Sequence, residues 1–267
     1  LGPVQSFVSQ ARRTRDFWAG SFILSWLAAV AIKATQHQGG NVEFPQPDLD
    51  YMAWLIGEGK GHKPTQGSIP NRFKGMVASV DPATFNPDAV VHAVQEAWKA
   101  LAAEVWKSDM NSVSHDVQRE IWDRQINNLW DMSWVITADR GDSSALDKRK
   151  NWRTYTPPDE PGVKCAMMDG WQELSAEKRP DRKAMNVFWD NVRAKGRNGM
   201  QSDLAENEAL CAIAFVKRRF SRHFAKLDCT MPQGWRLKGW SVPSTVPSVA
   251  YICLLYTSPS PRDRTRS

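Results

Sequence analysis

The sequence predicts an α+β protein, a small sheet covered by helices, and three observations carry that prediction. Apolar residues recur at spacings of three and four over several long segments, the helical period. Only a few short stretches have strand character, and Gly and Pro clusters set them apart. The chain holds 13 Trp with 42% apolar and 24% charged residues, far too much aromatic surface for a disordered chain. Its 267 residues allow one large domain or two small ones.

The first element predicted is a helix from Ser6 to about Thr35, with Phe7, Ala11, Thr14, Trp18, Phe22 and Ser25 along one stripe and Gly39-Gly40 ending it. Its longest apolar run, Phe22 to Ile32, is 11 residues. A bilayer crossing needs about 20, so a core helix and no membrane partner are expected. Arg12, Arg13 and Arg15 precede the run, but no cleavage-site pattern follows, which argues against a signal peptide. Val42 to Pro45 reads as a short extended segment. Pro and Gly then punctuate an irregular stretch that ends at Ile69-Pro70-Asn71-Arg72-Phe73. Met76 to Val80 reads as a strand.

Asn86 is an N-cap candidate with Pro87 at the first helical position. Val90, Val94, Trp98, Leu101 and Val105 give that helix its apolar face, ending near Lys107. A second helix follows Ser114, with Val117, Ile121, Trp122, Ile126 and Leu129 in period. Trp134 to Thr137 reads as a strand, and the polar, Pro-containing residues 139–163 as a linker. Lys183 to Arg193 and Glu208 to His223 read as helices. The second has a basic end (Lys217, Arg218, Arg219, Arg222) that suits a helix C-terminus.

The net charge is +6, of which the tail Cys253–Ser267 supplies +2; such basicity is compatible with a polyanionic partner without demanding one. Four scattered Cys do not make a secreted disulfide framework, so a cytoplasmic location is expected. The chain starts at Leu1 without Met and closes on CLLYTSPSPRDRTRS, unlike its Trp-rich body. A fragment is expected, with residues 253–267 a non-native read-through tail.

The strongest candidate for chemistry is residues 2–27, GPVQSFVSQARRTRDFWAGSFILSWL. A Gly2-Pro3 turn leads into a helix whose first turn carries Gln5 and Ser6, where free N–H groups and the dipole can hold a phosphate. Gly20-Ser21 leaves a bare patch on the same helix for a base or backbone to approach. Arg12 and Arg15 are candidate phosphate or RNA contacts. On physics alone, a capped core helix with a solvated basic face accounts for the same residues. Asp48/Asp50 and Asp139/Asp142 lie in loop-like stretches and are poor metal candidates. His115-Asp116 sits in a helix's first turn, where Asp favours the dipole. Trp98, Trp122, Trp130 and Trp189 lie on apolar helix faces, which favours core packing over base stacking.

The 2–27 block closely resembles the start of the first palm domain in the large, polymerase/cyclase-like subunit of type III-B CRISPR (Cmr) effector complexes. Four later blocks resemble the family in order: Ile69 to Phe73, Lys164-Cys165 with Gly170, Glu208 to Ala212 with Val216 to Arg218, and Pro243-Ser244-Thr245. The resemblance implies a ferredoxin-like palm with helical additions over residues 1–160, its first strand truncated. It implies a degenerate zinc-knuckle and helical insertion over 161–228 and a segment leaving the palm over 229–252. A zinc site of four cysteines needs a second Cys three residues after each first one, but Met168 and Ala214 stand there. Cys165 and Cys211 are therefore a remnant, and zinc is not expected.

For function, the resemblance implies an antiviral ribonucleoprotein with CRISPR RNA, target RNA and the other Cmr subunits as partners. Family members with intact motifs make cyclic oligoadenylate from ATP and a divalent metal on target recognition. The metals are held by a Gly-Gly-Asp-Asp turn in a second palm, a motif absent here, so the fragment alone is expected to be inactive. On that model Gly2, Gln5, Ser6, Gly20 and Ser21 contribute a nucleotide-binding wall. The alternative is a non-catalytic scaffold that binds nucleic acid and partner subunits.

Overall fold

The computed structural model describes residues 1–78, 81, 84–138, 146, 158–196 and 199–246. A short helix and a long one open the chain. Helix α1 spans Gln5–Ser9 and α2 spans Thr14–His37. The single helix expected from Ser6 to Thr35 is thus broken over residues 10–13. Gln10 leaves helical geometry with ψ 85°, and Asp16 accepts the N–H groups of Arg12 and Arg13 at 3.2 and 3.1 Å. That carboxylate caps α2 from its own third position, so a new helix starts there.

Strand β1 (Asn41–Phe44) pairs antiparallel with β2 (Lys74–Met76). Helix α3 (Leu49–Leu55) lies between them in sequence, N-capped by Asp48. The strand expected at Met76 to Val80 begins earlier; only Met76 is in it, and Ser79 and Val80 lie outside the described residues. Helix α4 (Pro87–Val105) starts as its sequence predicts, with the Asn86 side chain accepting the Asp88 N–H at 2.9 Å. It runs into one π-helical turn, Trp106–Met110.

Helix α5 (Asp116–Asn128) follows, then α6 (Arg182–Lys195), α7 (Met200–Asp203) and α8 (Ala212–His223). A hairpin of β3 (Asp228–Thr230) and β4 (Arg236–Lys238) comes last among the described strands. The mixed α+β class therefore holds, with the described strands forming two separate two-stranded ribbons. Trp134 to Thr137 is not a strand. The nearest pairing is one antiparallel bridge between Gly2 and Asp131, while the Trp134 indole donates to Asp88 at 3.2 Å. Most of the expected linker, and the whole tail from 253, lie outside the described residues.

Helix α2 is the hub, packed by α4, α8, α3 and α1. It is long and apolar enough to cross a membrane, but 72% of its apolar window is buried inside the protein, as a core helix requires. Phe22 and Trp26 pack against Phe224 at ring distances of 5.7 and 5.5 Å, with Trp240 closing the cluster 4.8 Å from Phe224. A second cluster stacks Phe7, Trp98 and Trp130 edge-on at 4.8–6.4 Å. Trp122 and Trp189 flank Phe215 of α8. The four Trp assigned to the core are thus all packed there, three of them fully buried and Trp130 partly. Each such aromatic removes about 150–250 Å² from water.

Candidate functional site

The opening block meets the Ile69–Phe73 loop along one face of α2. The Trp18 indole donates to the Thr65 carbonyl at 3.0 Å, and the Ile69 N–H donates to Ser25 Oγ at 2.6 Å. Asn71 Nδ2 reaches back to the Leu1 carbonyl at 3.2 Å, so the loop touches the start of the chain. Gly67 sits directly on α2. A Cβ there would stand 2.8 Å from the Ser21 carbonyl oxygen and 2.9 Å from Ser25 Cβ, so only glycine allows this approach. Gly2 is buried and paired to Asp131 by two 2.8 Å bonds, whereas Gln5 is exposed. Ser6 Oγ is buried with no hydrogen-bond partner among the described residues. The 65–71 loop therefore touches both Leu1 and the Trp18–Ser25 face of α2.

The bare patch expected at Gly20-Ser21 is filled. Gly20 is covered by Lys217 of α8, and a Cβ at Gly20 would meet Lys217 Cε at 2.8 Å. Ser21 lies under Gly67. The missing side chain at Gly20 serves to admit the lysine. Lys217 Nζ donates to the carbonyls of Phe7 and Gln10, the latter at 2.8 Å, and lies 5.0 Å over the Phe7 ring. Those carbonyls are at the end of α1, so the lysine satisfies the acceptors that the helix break leaves free. Burial pushes its ammonium down to about 8, against the pull of Asp16.

Behind Lys217 lies a buried lattice of charges. Arg218 is 1% exposed and clasps Asp16 with two bonds of 2.6 and 2.9 Å. Two of its nitrogens also hold Glu208 at 2.7 and 3.0 Å, a geometry that strongly favours the charged pair. Asp203 takes Arg15 at 2.7 Å, Arg222 at 3.0 Å, and Arg219 as well. Arg219 also donates to Asp109 on the π-helical turn at 2.8 Å, and His223 meets the same carboxylate at 2.6 Å. Burial alone would raise these carboxyls. Hydrogen bonds to Asp109 (His223, Arg219), Asp203 (Arg222) and Glu208 (Arg218) outweigh it and hold all three below the ordinary range.

The basic end of α8 is thus not a solvated complement to the helix dipole; Lys217, Arg218 and Arg219 are buried. Arg15 is likewise committed to Asp203, with 15% of its side chain exposed. Arg12 differs. Its side chain is 50% exposed, and it lines a cavity of about 340 Å³ with Arg13 and residues 205–208.

The third grouping is the two knuckle-like turns. Cys165 Sγ accepts the N–H groups of Met167, Met168 and Cys211 at 3.4, 3.3 and 3.2 Å. Cys211 is the N-cap of α8, its sulfur accepting Ala214 N–H at 3.4 Å. The N–H donors and the Cys211 thiol together lower the Cys165 thiol against burial, while burial and the neighbouring Cys165 raise Cys211. These two sulfurs do not fit a zinc ion. Met168 and Ala214 occupy the places of the missing ligands, and no group of three His, Cys, Asp or Glu among the described residues is placed to hold a metal.

The weaker candidates have local roles. Asp48 caps α3, Asp50 accepts the His62 N–H at 2.7 Å, and His115 is the N-cap residue of α5. Asp139 and Asp142 lie outside the described residues.

The family model described as CRISPR-associated protein Cmr2, N-terminal, matches residues 1–103. These residues are a Cmr2 N-terminal region. Cmr2 is the large subunit of type III-B CRISPR Cmr complexes, and such a subunit implies CRISPR RNA and the other Cmr subunits as partners. No curated protein matches the chain. The Cmr2 match runs from the Gly2-Pro3 turn through most of α4, and so contains every nucleotide-wall candidate and the Asn71 loop. Lys217, Arg218, Asp203 and Glu208, which hold that region in place, lie beyond it.

Sequence reasoning missed that lattice, although a signal was present. Lys217-Arg218-Arg219 stands inside the apolar run Ala212 to Phe220. Three consecutive helical residues span about 200° of arc, so they cannot all face water while their apolar neighbours face the core.

Proposed function

We propose that this Cmr2 region supplies the first palm wall of a nucleotide site in the type III-B large subunit. The observation that supports the reading is that one loop touches both parts of the block, Gly67 lying on Ser21 and Asn71 donating to the Leu1 carbonyl. On this reading Gly2, Gln5, Ser6, Gly20 and Ser21 form the wall, and Arg12, beside its cavity, contacts phosphate or RNA. Arg15 supports it from behind through Asp203. ATP is the substrate and cyclic oligoadenylate the product in the intact cytoplasmic complex, after target RNA is recognised. The divalent metals belong to a second palm, so this chain contributes positioning and no metal ligand.

A second reading is a scaffold without catalysis, and the filling of the Gly20 face by Lys217 favours it. Ser21→Trp in the intact complex separates the two. Under the first reading, cyclic oligoadenylate synthesis falls at least tenfold while assembly and target RNA binding persist. Unchanged synthesis, or a parent complex that makes none, leaves the scaffold. The isolated chain is expected not to turn over ATP; product from it overturns that assignment.

A further inference from the structure

We propose that Cys165 and Cys211 form a modification site, a preorganised buried thiol pair that closes to a reversible disulfide when a peroxide reaches it. Backbone bonds hold the two turns together. The Ala166 N–H donates to the Ala209 carbonyl at 2.7 Å, and the Leu174 N–H to the Leu210 carbonyl at 3.1 Å. These bonds fix the Cys165 turn beside the residues that lead into α8. The Cys211 backbone nitrogen stands 3.2 Å from Cys165 Sγ, so its own sulfur is within a side-chain rotation of the partner. The Cys211 thiol already hydrogen-bonds the Cys165 side chain while its sulfur accepts the Ala214 N–H.

The two sulfurs are not equivalent. Cys165 Sγ receives three backbone N–H groups, an arrangement that stabilises a thiolate. Cys165 keeps 8% of its surface exposed, whereas Cys211 is fully buried. Cys165 therefore reacts first. Its thiolate attacks one peroxide oxygen, the O–O bond breaks, and the departing hydroxide takes a proton to become water. The product is the sulfenic acid of Cys165. The Cys211 sulfur then attacks Cys165 Sγ, the S–O bond breaks, and hydroxide leaves as water with the Cys211 proton. The dithiol loses two electrons and one peroxide becomes two waters. Met168 and Ala214 suit this chemistry, because they place no further ligand to divert the pair to a metal.

The test uses the wild-type chain, so it does not depend on a variant folding. Folded protein is treated with hydrogen peroxide, quenched, denatured, alkylated with iodoacetamide and digested with trypsin. The expected result is the peptide beginning at Cys165 joined to the peptide containing Cys211, lighter by two hydrogens and separated by dithiothreitol. Cys211→Ser should abolish the joined peptide and leave Cys165 sulfenic acid, trapped by dimedone. Oxidation at Met167 or Met168 adds oxygen and resists dithiothreitol, so it is not mistaken for the disulfide. Complete alkylation of both Cys165 and Cys211 after peroxide treatment overturns the proposal. So does linkage of either to Cys229 or Cys253 in its place.

Discussion

Lys217 offers the sharpest quantitative test of the buried lattice. Its ammonium is fully buried and its folded value falls from 10.5 to about 8, chiefly because burial disfavours the charge. Asp16 pulls the other way, and Arg218, Cys165 and Cys211 are the remaining charges acting on it. Between those two values the unfolded chain binds more protons than the folded one, so this residue's contribution to stability rises with pH. The linkage relation gives a gain of about 1 kcal/mol from about pH 7 to 9, and about 2–3 kcal/mol by about pH 10. Tyr51 and Cys211 oppose it, because burial raises both and each costs stability as pH climbs through its ordinary range. The clean quantity is therefore the difference between wild type and Lys217→Met, followed by urea unfolding with tryptophan fluorescence across that range. Wild type should gain on the variant steadily above about pH 8. A difference that stays flat within about 0.5 kcal/mol, or slopes the other way, refutes the burial argument.

Four further outcomes follow from the same geometry. Gly20→Ala should destabilise by about 1–3 kcal/mol despite alanine's better helix propensity, because its Cβ would meet Lys217 Cε at 2.8 Å and Val8 Cα at 3.4 Å; a more stable variant would show that Lys217 yields freely. Arg218→Met strands the Asp16 and Glu208 carboxylates and should cost about 3–5 kcal/mol in urea unfolding, a loss under about 1 kcal/mol contradicting the assigned pairing. Asp109, Asp203 and Glu208 are held low, so their contribution is complete above the ordinary carboxylate range and is lost as pH falls from there through their lower folded values; Asp203→Asn should weaken that acid dependence, and an identical acid profile would exclude Asp203. Met168→Cys with Ala214→Cys should complete a four-sulfur site on two turns whose N–H donors already serve sulfur, so the double variant should retain about one zinc per chain by elemental analysis. Zinc at the wild-type level would mean the turns are not shaped for it.

How much of this was legible in the sequence depends on whether the signal was local. The N-cap and first turn of α4 were, because Asn86-Pro87 settles its own neighbourhood and needs no partner. The Trp-bearing faces of α4 and α5 were, because a periodic apolar stripe has few uses other than burial. The break between α1 and α2 was not. Nothing in Val8 to Arg13 stops a helix by itself; the acceptors left free by the break are met by Lys217, which lies in α8, far along the chain. Trp134 to Thr137 shows the converse failure, since β-propensity makes no ladder by itself and no strand among the described residues pairs with it. At the site, Gly20 was recognisable as a place of close approach, but not what approached it. The position of the basic run 217–219 near a helix end suggests solvent, yet its apolar flanks already place it in the core.

These long-range contacts change the meaning of the family match. Residues 1–103 are a Cmr2 N-terminal region, yet that region does not complete its own interior. Phe22 and Trp26 rest on Phe220 and Phe224, Asp16 is neutralised by Arg218, and the end of α1 is satisfied by Lys217. Removing α8 would expose that aromatic face and leave Asp16 as a charge without its partner. Burying such a carboxylate unpaired costs several kcal/mol, a large share of a typical domain's roughly 5–15 kcal/mol. The opening block therefore owes its shape to α8, and the two thiol turns fix where α8 begins. Cys211 caps the helix whose Lys217 and Arg218 hold residues 7–16. The wall proposed for the nucleotide and the thiol pair proposed for oxidation are thus opposite ends of the same piece of packing.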